Sequence, residues 1–444
     1  VFMLSIQLII CKLIQSILKK IGRGSSLPGQ IALKMNPKFL GKFHYPEKVV
    51  AVTGSSGKGS VTGMISAIAL ENHMIVAHND KGSNLDAGIA SLLIEHSDLK
   101  GNIKADIIVA EVDERYTKYV FPYLKPTHVV ITNITRDQPP RQGHFDLVFH
   151  EIEKAITSDM HLILNADDPM LQKFVMKKKN PVTYYSIEKN KFSYTKSKFE
   201  NLNFIYCPKC HTKLEYQYYN FEEIGDYHCP NCSFKRPNAT NVCTKIDYKN
   251  QKILLNDNEI HLPSTMLYNI YNTLAAYTIT KEIGINEHII VAAINNLNSN
   301  GKNMNIYKIE QRNMIILNNK NENSSTFNQS LLFIDREKSL KTVVIGWKEI
   351  SRRYEFNDIS WLYDIDFEIL TKHNIDKVVC IGLNEFDIAT RMNYAGIDSS
   401  KIVPFDTLEK ATTYIKKKTK GDIYAILNFD YVEPFHELMT RGEK

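Results

Sequence analysis

Residues Val49 to Val61 read VVAVTGSSGKGSV, and this run decides the fold. Val49-Val50-Ala51-Val52 is a strand with no polar face, as in a sheet buried on both sides. It leads directly into a glycine turn, a lysine, a hydroxyl residue and a helix over Val61 to Glu71. Phosphate binding needs this order. Gly54 and Gly57, with Ser55 and Ser56 between them, let backbone amides face an anion. Lys58 supplies charge for the β- and γ-phosphates, and Gly59 opens a helix whose positive end points at them. Ser60 places a hydroxyl where Mg²⁺ is held. Only two residues separate Gly54 from Gly57, fewer than in the standard Walker loop. The expected ligand is ATP; the plainer reading is a tight strand–helix turn that carries a lysine.

Strands and helices continue to alternate downstream. Asp106 to Ala110, His128 to Thr132, His161 to Leu164 and Lys252 to Leu255 read as strands, and Asp146 to Ser158 and Ile270 to Ile283 as helices. This predicts an α/β fold whose mostly parallel sheet is covered on both faces. The run IIVAEVDE, Ile107 to Glu114, ends in carboxylates. Glu111, the first after the strand, is expected to hold Mg²⁺ with Ser60, ahead of Asp113 and Glu114. The polar stretch Asn295 to Asn305 predicts a boundary. Beyond it, Met314 to Leu317, Thr342 to Ile345, Lys377 to Ile381 and Asp422 to Leu427 predict a second α/β unit. The expected division is an N-terminal helix and arm over 1–45, an ATP-binding domain over 46–300 and a C-terminal α/β domain over 301–444.

Residues 201–237 break the alternation with aromatics and paired cysteines. Cys207-Pro-Lys-Cys210 and Cys229-Pro-Asn-Cys232 are separated by 18 residues. Two such knuckles predict an inserted ribbon with four thiolates around one tetrahedral Zn²⁺, leaving no open position, so the zinc is expected to be structural. Redox chemistry would need one pair at a helix start. Seven cysteines in 444 residues fit a reducing, cytoplasmic compartment.

Hydrophobic residues at 43% and charged residues at 23% fit a globular chain of more than one domain. The net charge of +6 permits an anionic ligand or membrane surface, but no dense basic stripe interleaves with aromatics, so no nucleic acid is expected. Val1 to Ile21 is apolar but interrupted by Gln7, Lys12, Gln15, Lys19 and Lys20. Its uncharged run of 11 residues is short of the ~20 that span a bilayer. A packed helix is expected there, ahead of an interfacial anchor or a signal peptide.

Several of these runs together resemble the MurT family, the Mur-ligase-like subunits of lipid II isoglutaminyl synthase, nearly end to end. They are GRGSSLPGQIALK (Gly22 to Lys34), the phosphate loop, EVDE, TNITRDQ (Thr132 to Gln138), LNADDP (Leu164 to Pro169) and the cysteine ribbon in its place. Tyr268-Asn269-Ile270-Tyr271-Asn272, DISWLYD (Asp358 to Asp364) and RMNYAG (Arg391 to Gly396) complete the set. The resemblance implies a Mur-ligase central domain followed by a MurT-type C-terminal domain. It implies ATP-dependent phosphorylation of the D-glutamate α-carboxyl in the lipid II stem peptide. Amidation would follow, with ammonia from a GatD-type glutaminase partner in a heterodimer at the inner membrane face. It also implies Asn269 and Lys302 near the nucleotide, and Asp358 as the carboxylate that orients or deprotonates ammonia.

The sequence departs from the family in places. The loop ending GKGS is nearer folylpolyglutamate synthases. Lys302 stands for the arginine of GRxE, and Asn323 to Gln329 lacks the usual proline and glycine. Two further readings stay open: a murein- or folate-type amino-acid ligase, and a nucleotide-binding scaffold without catalysis.

Overall fold

Two helices, α1 (Phe2–Lys20) and α2 (Leu27–Met35), precede the first strand of the computed structural model. The structure describes residues 2–20, 26–79, 83–136, 144–300, 305–317, 323–348, 359–372 and 374–441. The valine run is β1 (Lys48–Thr53), followed by α3 (Lys58–Glu71), β2 (Val76–His78), α4 (Asp86–His96) and β3 (Ile107–Glu111). Then come α5 (Thr117–Leu124), β4 (His128–Ile131), α6 (Phe145–Ala155), β5 (His161–Asn165), α7 (Lys173–Lys177) and β6 (Val182–Ile187). A hairpin, β7 (Glu215–Phe221) and β8 (Ile224–His228), interrupts before β9 (Asn241–Asp247), β10 (Lys252–Leu255), β11 (Asn258–His261), α8 (Leu267–Glu282) and α9 (Glu287–Asn300).

β7 and β8 pair with each other, and the other strands form one sheet in the order β11-β10-β9-β6-β5-β4-β1-β3-β2, parallel from β9 to β2. Alternate residues of β1 serve opposite faces, as a period of two requires. Val50 and Val52 pack into the layer with Ile65 and Leu274, and Val49 and Ala51 into the layer with Ile89 and Phe121. β1 pairs with β3 on one side and β4 on the other, so the chain changes direction across it. The carboxyl ends of β1, β3 and β4 therefore border a crevice, the usual ligand position in such sheets.

The second unit contains β12 (Asn305–Ile309), β13 (Arg312–Ile316), α10 (Ser324–Asp335), β14 (Lys341–Trp347), β15 (Ile375–Gly382), α11 (Glu385–Tyr394), β16 (Ile402–Phe405), α12 (Leu408–Lys418), β17 (Asp422–Leu427) and α13 (Phe429–Thr440). Its sheet order is β12-β13-β17-β14-β15-β16, antiparallel only at β12. Helix α9 runs through the first part of the polar stretch, from Asn295 to Asn300. Ile290 and Ile294 are buried beneath it, and Asn295 accepts the His261 amide at 2.8 Å, so the stretch begins on a packed helix.

Candidate nucleotide site and cysteine centre

Gly54 leaves β1 at φ +123° and Gly57 caps α3 at φ +84°, backbone that glycine tolerates and other residues rarely adopt. Neither position has room for a side chain. A Cβ on Gly54 would lie 2.3 Å from Thr132 Oγ1, and one on Gly57 would lie 2.5 Å from Asn272 Oδ1. The loop is fastened to the segment after β4. The Asn133 carbonyl accepts the Ser55 amide at 2.9 Å, and its side-chain oxygen accepts the Ser56 amide at 3.0 Å. Thr132 Oγ1 donates to the Ser56 carbonyl at 2.7 Å. The helix starts at Lys58, three residues before the expected Val61. The amides of Lys58, Gly59 and Ser60 thus occupy a first turn that has no intrahelical acceptors, and Gly59 and Ser60 are exposed. Such a turn is the arrangement that anion binding at a helix N-terminus uses.

Lys58 Nζ donates to the Gly54 carbonyl at 2.6 Å and to Glu114 Oε1 at 2.8 Å. The two side chains are 12% and 4% exposed. Burial opposes both charges: it raises the Glu114 carboxyl above its ordinary range, while the attraction of the carboxylates around Lys58, Glu114 first, outweighs burial there and holds the ammonium pKa above its ordinary value. Asp113, which burial alone would raise, is held below its ordinary range by Arg115, whose Nε and Nη2 reach its two oxygens at 3.0 Å each.

Glu111 is 8% exposed. Asn84 donates to its Oε1 at 2.9 Å, and Asn79 exchanges two hydrogen bonds of 2.8 Å with its backbone. Its Oε2 faces the first turn of α3, where a Cβ on Gly59 would lie 3.2 Å away. Of the three carboxylates, Glu111 therefore overlooks the turn that carries Ser60, and Glu114 engages Lys58.

Asn269 lies on the first turn of α8 and donates to Ser264 Oγ at 2.6 Å. Asn272, farther along the same helix, is the residue against Gly57. Asn272 and Asn133 both lie in runs quoted from the sequence, but no sequence signal assigned them to the loop. Lys302 and Asp358 lie outside the described residues. The turn Ser360–Asp364 beside Asp358 is described, and buried Arg391 holds it by donating to the carbonyls of Leu362 at 3.2 Å and Ile365 at 2.7 Å. Arg136 pairs with Asp364 at 2.6 Å. Since Ser55 and Thr135 also exchange hydrogen bonds, TNITR links the SWLYD turn to the phosphate loop.

The four cysteines converge. Their sulfurs lie within 4.8 Å of one another, with Cys207 to Cys232 at 3.5 Å and Cys210 to Cys229 at 3.4 Å. Such separations are far too long for disulfides and close to the ~3.8 Å edge of a tetrahedron with zinc–sulfur bonds of about 2.3 Å. The amides of Lys209 and Asn231 point at Cys207 and Cys229 sulfurs, each at 3.4 Å, as thiolate ligands require. Leu214, Tyr227 and Phe234 form a small core around them. The donor set fits Zn²⁺.

Residues 52–280 match the Mur ligase middle domain family, and residues 321–431 match the MurT ligase C-terminal family. The chain is 30% identical over 423 residues to the lipid II isoglutaminyl synthase (glutamine-hydrolyzing) subunit MurT of Staphylococcus aureus strain COL, covering 95% of this chain and 94% of that one. It is 26% identical to the same-named subunit of Streptococcus pneumoniae strain ATCC BAA-255 / R6, with coverage of 96% and 94%. In fold it is similar to a pseudomurein peptide ligase type C from Methanothermus fervidus, with a TM-score of 0.66 and 19% identity over 93% of this chain and 84% of that one.

Proposed function

The chain belongs to the MurT family of Mur ligases, and from that premise we propose that it is the ATP-consuming subunit of a lipid II isoglutaminyl synthase. A carboxylate oxygen of the stem-peptide D-glutamate attacks the γ-phosphorus of ATP, ADP leaves, and an acyl phosphate forms. Ammonia attacks the acyl carbon, phosphate leaves, a proton is lost, and the α-carboxyl becomes the amide of D-isoglutamine. Residues Gly54 to Ser60 hold the phosphates, and Lys58 exchanges Glu114 for the γ-phosphate as charge develops there. Bound Mg²⁺ would neutralise phosphate charge, with Ser60 and Glu111 as its protein ligands. Asn269 and Lys302 serve the nucleotide side.

Asp358 takes the ammonia proton, and Arg391 and Arg136 fix the turn that follows it. Ammonia comes from a GatD-type glutaminase in a heterodimer. Zinc in the four-cysteine shell is structural. A lipid-linked substrate places the work at the cytoplasmic membrane surface.

The observation that carries this reading is the meeting of Lys58, the first turn of α3 and the Glu111 carboxylate at the switch point of the sheet. The test combines this chain, a cognate glutaminase, glutamine, ATP and lipid II, and reads the product by mass spectrometry. Amidated lipid II is expected, dependent on both proteins. Phosphate release with a free amino acid and no glutaminase would instead favour an amino-acid ligase, the reading suggested by the GKGS loop ending.

A further inference from the structure

Helix α1 turns Gln7, Leu8, Cys11 and Gln15 inward and presents a row of other aliphatic side chains to solvent. On the inner side Leu8 and Cys11 are fully buried. Polar groups fasten this side to the body: Gln7 Nε2 donates to the Ala32 carbonyl at 2.8 Å, and Gln15 Nε2 to the Ser91 carbonyl at 3.1 Å. Lys12 reaches the Ile94 carbonyl, and Lys19 pairs with Glu95 at 2.6 Å.

The outer side carries Met3, Ile6, Ile10, Leu13 and Ile17, spaced alternately by three and four residues. They are 84%, 43%, 39%, 60% and 59% exposed. At helical period these five form one stripe along the element. Leu99, 43% exposed, stands beside it, because Ser5 Oγ donates to its carbonyl at 2.8 Å. A contiguous apolar stripe of this length marks an interaction surface.

Charge selects the occupant. α1 contains no acidic residue; Lys12 and Lys19 are engaged on the inner side, while Lys20 at the end of the helix and Lys100 after Leu99 are exposed. A second copy of the helix would bring like charges together. The positions flanking the stripe, Ile9, Ile14 and Ser16, offer no ion pairs to fix such a partner. An anionic phospholipid surface complements both the aliphatic stripe and the lysines. No helix among the described residues is long and apolar enough to cross a membrane, so α1 would lie along the surface.

We propose that the outward face of α1 docks the protein on an anionic bilayer, with the isoleucines and leucine at the acyl boundary and Lys20 and Lys100 among the phosphates. The inference rests on the lipid-linked substrate proposed above and gives that substrate a means of capture: the catalytic unit waits where the stem peptide is displayed.

The test is sedimentation of the full chain with vesicles of phosphatidylcholine alone or mixed with phosphatidylglycerol, without lipid II or ATP. Wild type should pellet with the anionic vesicles, less so as salt is raised. Leu13→Glu combined with Ile17→Glu should lower that partition about tenfold or more, with Tm and ATP binding unchanged since both sites face solvent. Absence of wild-type binding, or equal binding by the double variant, would overturn the proposal. So would a wild-type dimer that the variant converts to monomer without any vesicle binding. Amidation of a short-chain, water-soluble lipid II analogue is assayed separately; its failure would strike the ligase reading and leave the vesicle result standing.

Discussion

Lys58 sits in a buried ion pair with Glu114 while its neighbours present an anion cradle, and this double role makes its variants informative. Lys58→Ala is expected to abolish ATP-dependent phosphate release. It should also cost stability, on the order of 3 kcal/mol, because Glu114 is left buried without its partner. Glu111→Gln and Glu114→Gln separate the two carboxylates. The first should weaken Mg²⁺-dependent nucleotide binding by about tenfold or more, and the second should leave the Mg²⁺ dependence intact. Calorimetry with ATP at graded Mg²⁺ measures both; the opposite ranking would move the metal to Glu114. The loop that carries Lys58 and Ser60 was legible as a strand–turn–helix because its residues are contiguous in the chain. Asn133 and Asn272 were not, because they arrive from other elements. Asn269 and Asn272 lie on neighbouring turns of one helix, and only the packing of α8 on α3 shows which of them meets Gly57.

At the scale of elements, apolar strands were the most legible feature: β10 and β17 span the expected Lys252–Leu255 and Asp422–Leu427. Short edge strands such as β2 and the asparagine-rich end of α9 carried little periodic signal, and tertiary packing decided them. At the cysteine end of the hairpin β7–β8 the apolar packing is small, with Leu214, Tyr227 and Phe234 beside the four sulfurs, so a bound metal is expected to matter there. One zinc per chain is expected by elemental analysis. Cys210→Ser should release it, lower Tm and open the 207–232 segment to proteases. Retention of zinc by that variant would contradict the four-cysteine shell. The effect should spread, because the turn joining β7 to β8 lies between the two units. There Glu222, at φ +40°, accepts hydrogen bonds from Ser325 Oγ at 3.1 Å and Asn328 Nδ2 at 2.8 Å on α10.

The whole molecule is joined through polar contacts of this kind. Asp366 accepts the Glu200 amide at 3.1 Å, Lys198 pairs with Asp335 at 2.5 Å, Arg136 pairs with Asp364, and the Tyr268 amide donates to Gln329 at 3.0 Å. Gln329 belongs to the segment that lacks the family's proline and glycine, yet Asn323 caps α10 by accepting the Thr326 amide at 2.9 Å, so the helix keeps a defined start. None of these pairs was legible in the sequence, since each joins residues far apart in the chain.

Burial raises the Glu222 carboxyl from 4.5 to about 7, and Asp366 is raised to about 6, also by burial. Because the folded pKa of Glu222 exceeds the unfolded one, the native protein retains a proton that the unfolded chain releases. Its contribution to stability is therefore full below about pH 4.5, declines as pH rises toward about 7, and is absent above that. Glu222→Gln imitates the protonated form at every pH. It should flatten part of the fall in Tm between pH 5 and pH 8, and at pH 8 it should exceed wild type by on the order of 1–3 kcal/mol. Thermal unfolding of both proteins at the two pH values decides it. An unchanged slope in the variant would remove Glu222 from the contact that sets how the ribbon side of the molecule holds its C-terminal unit.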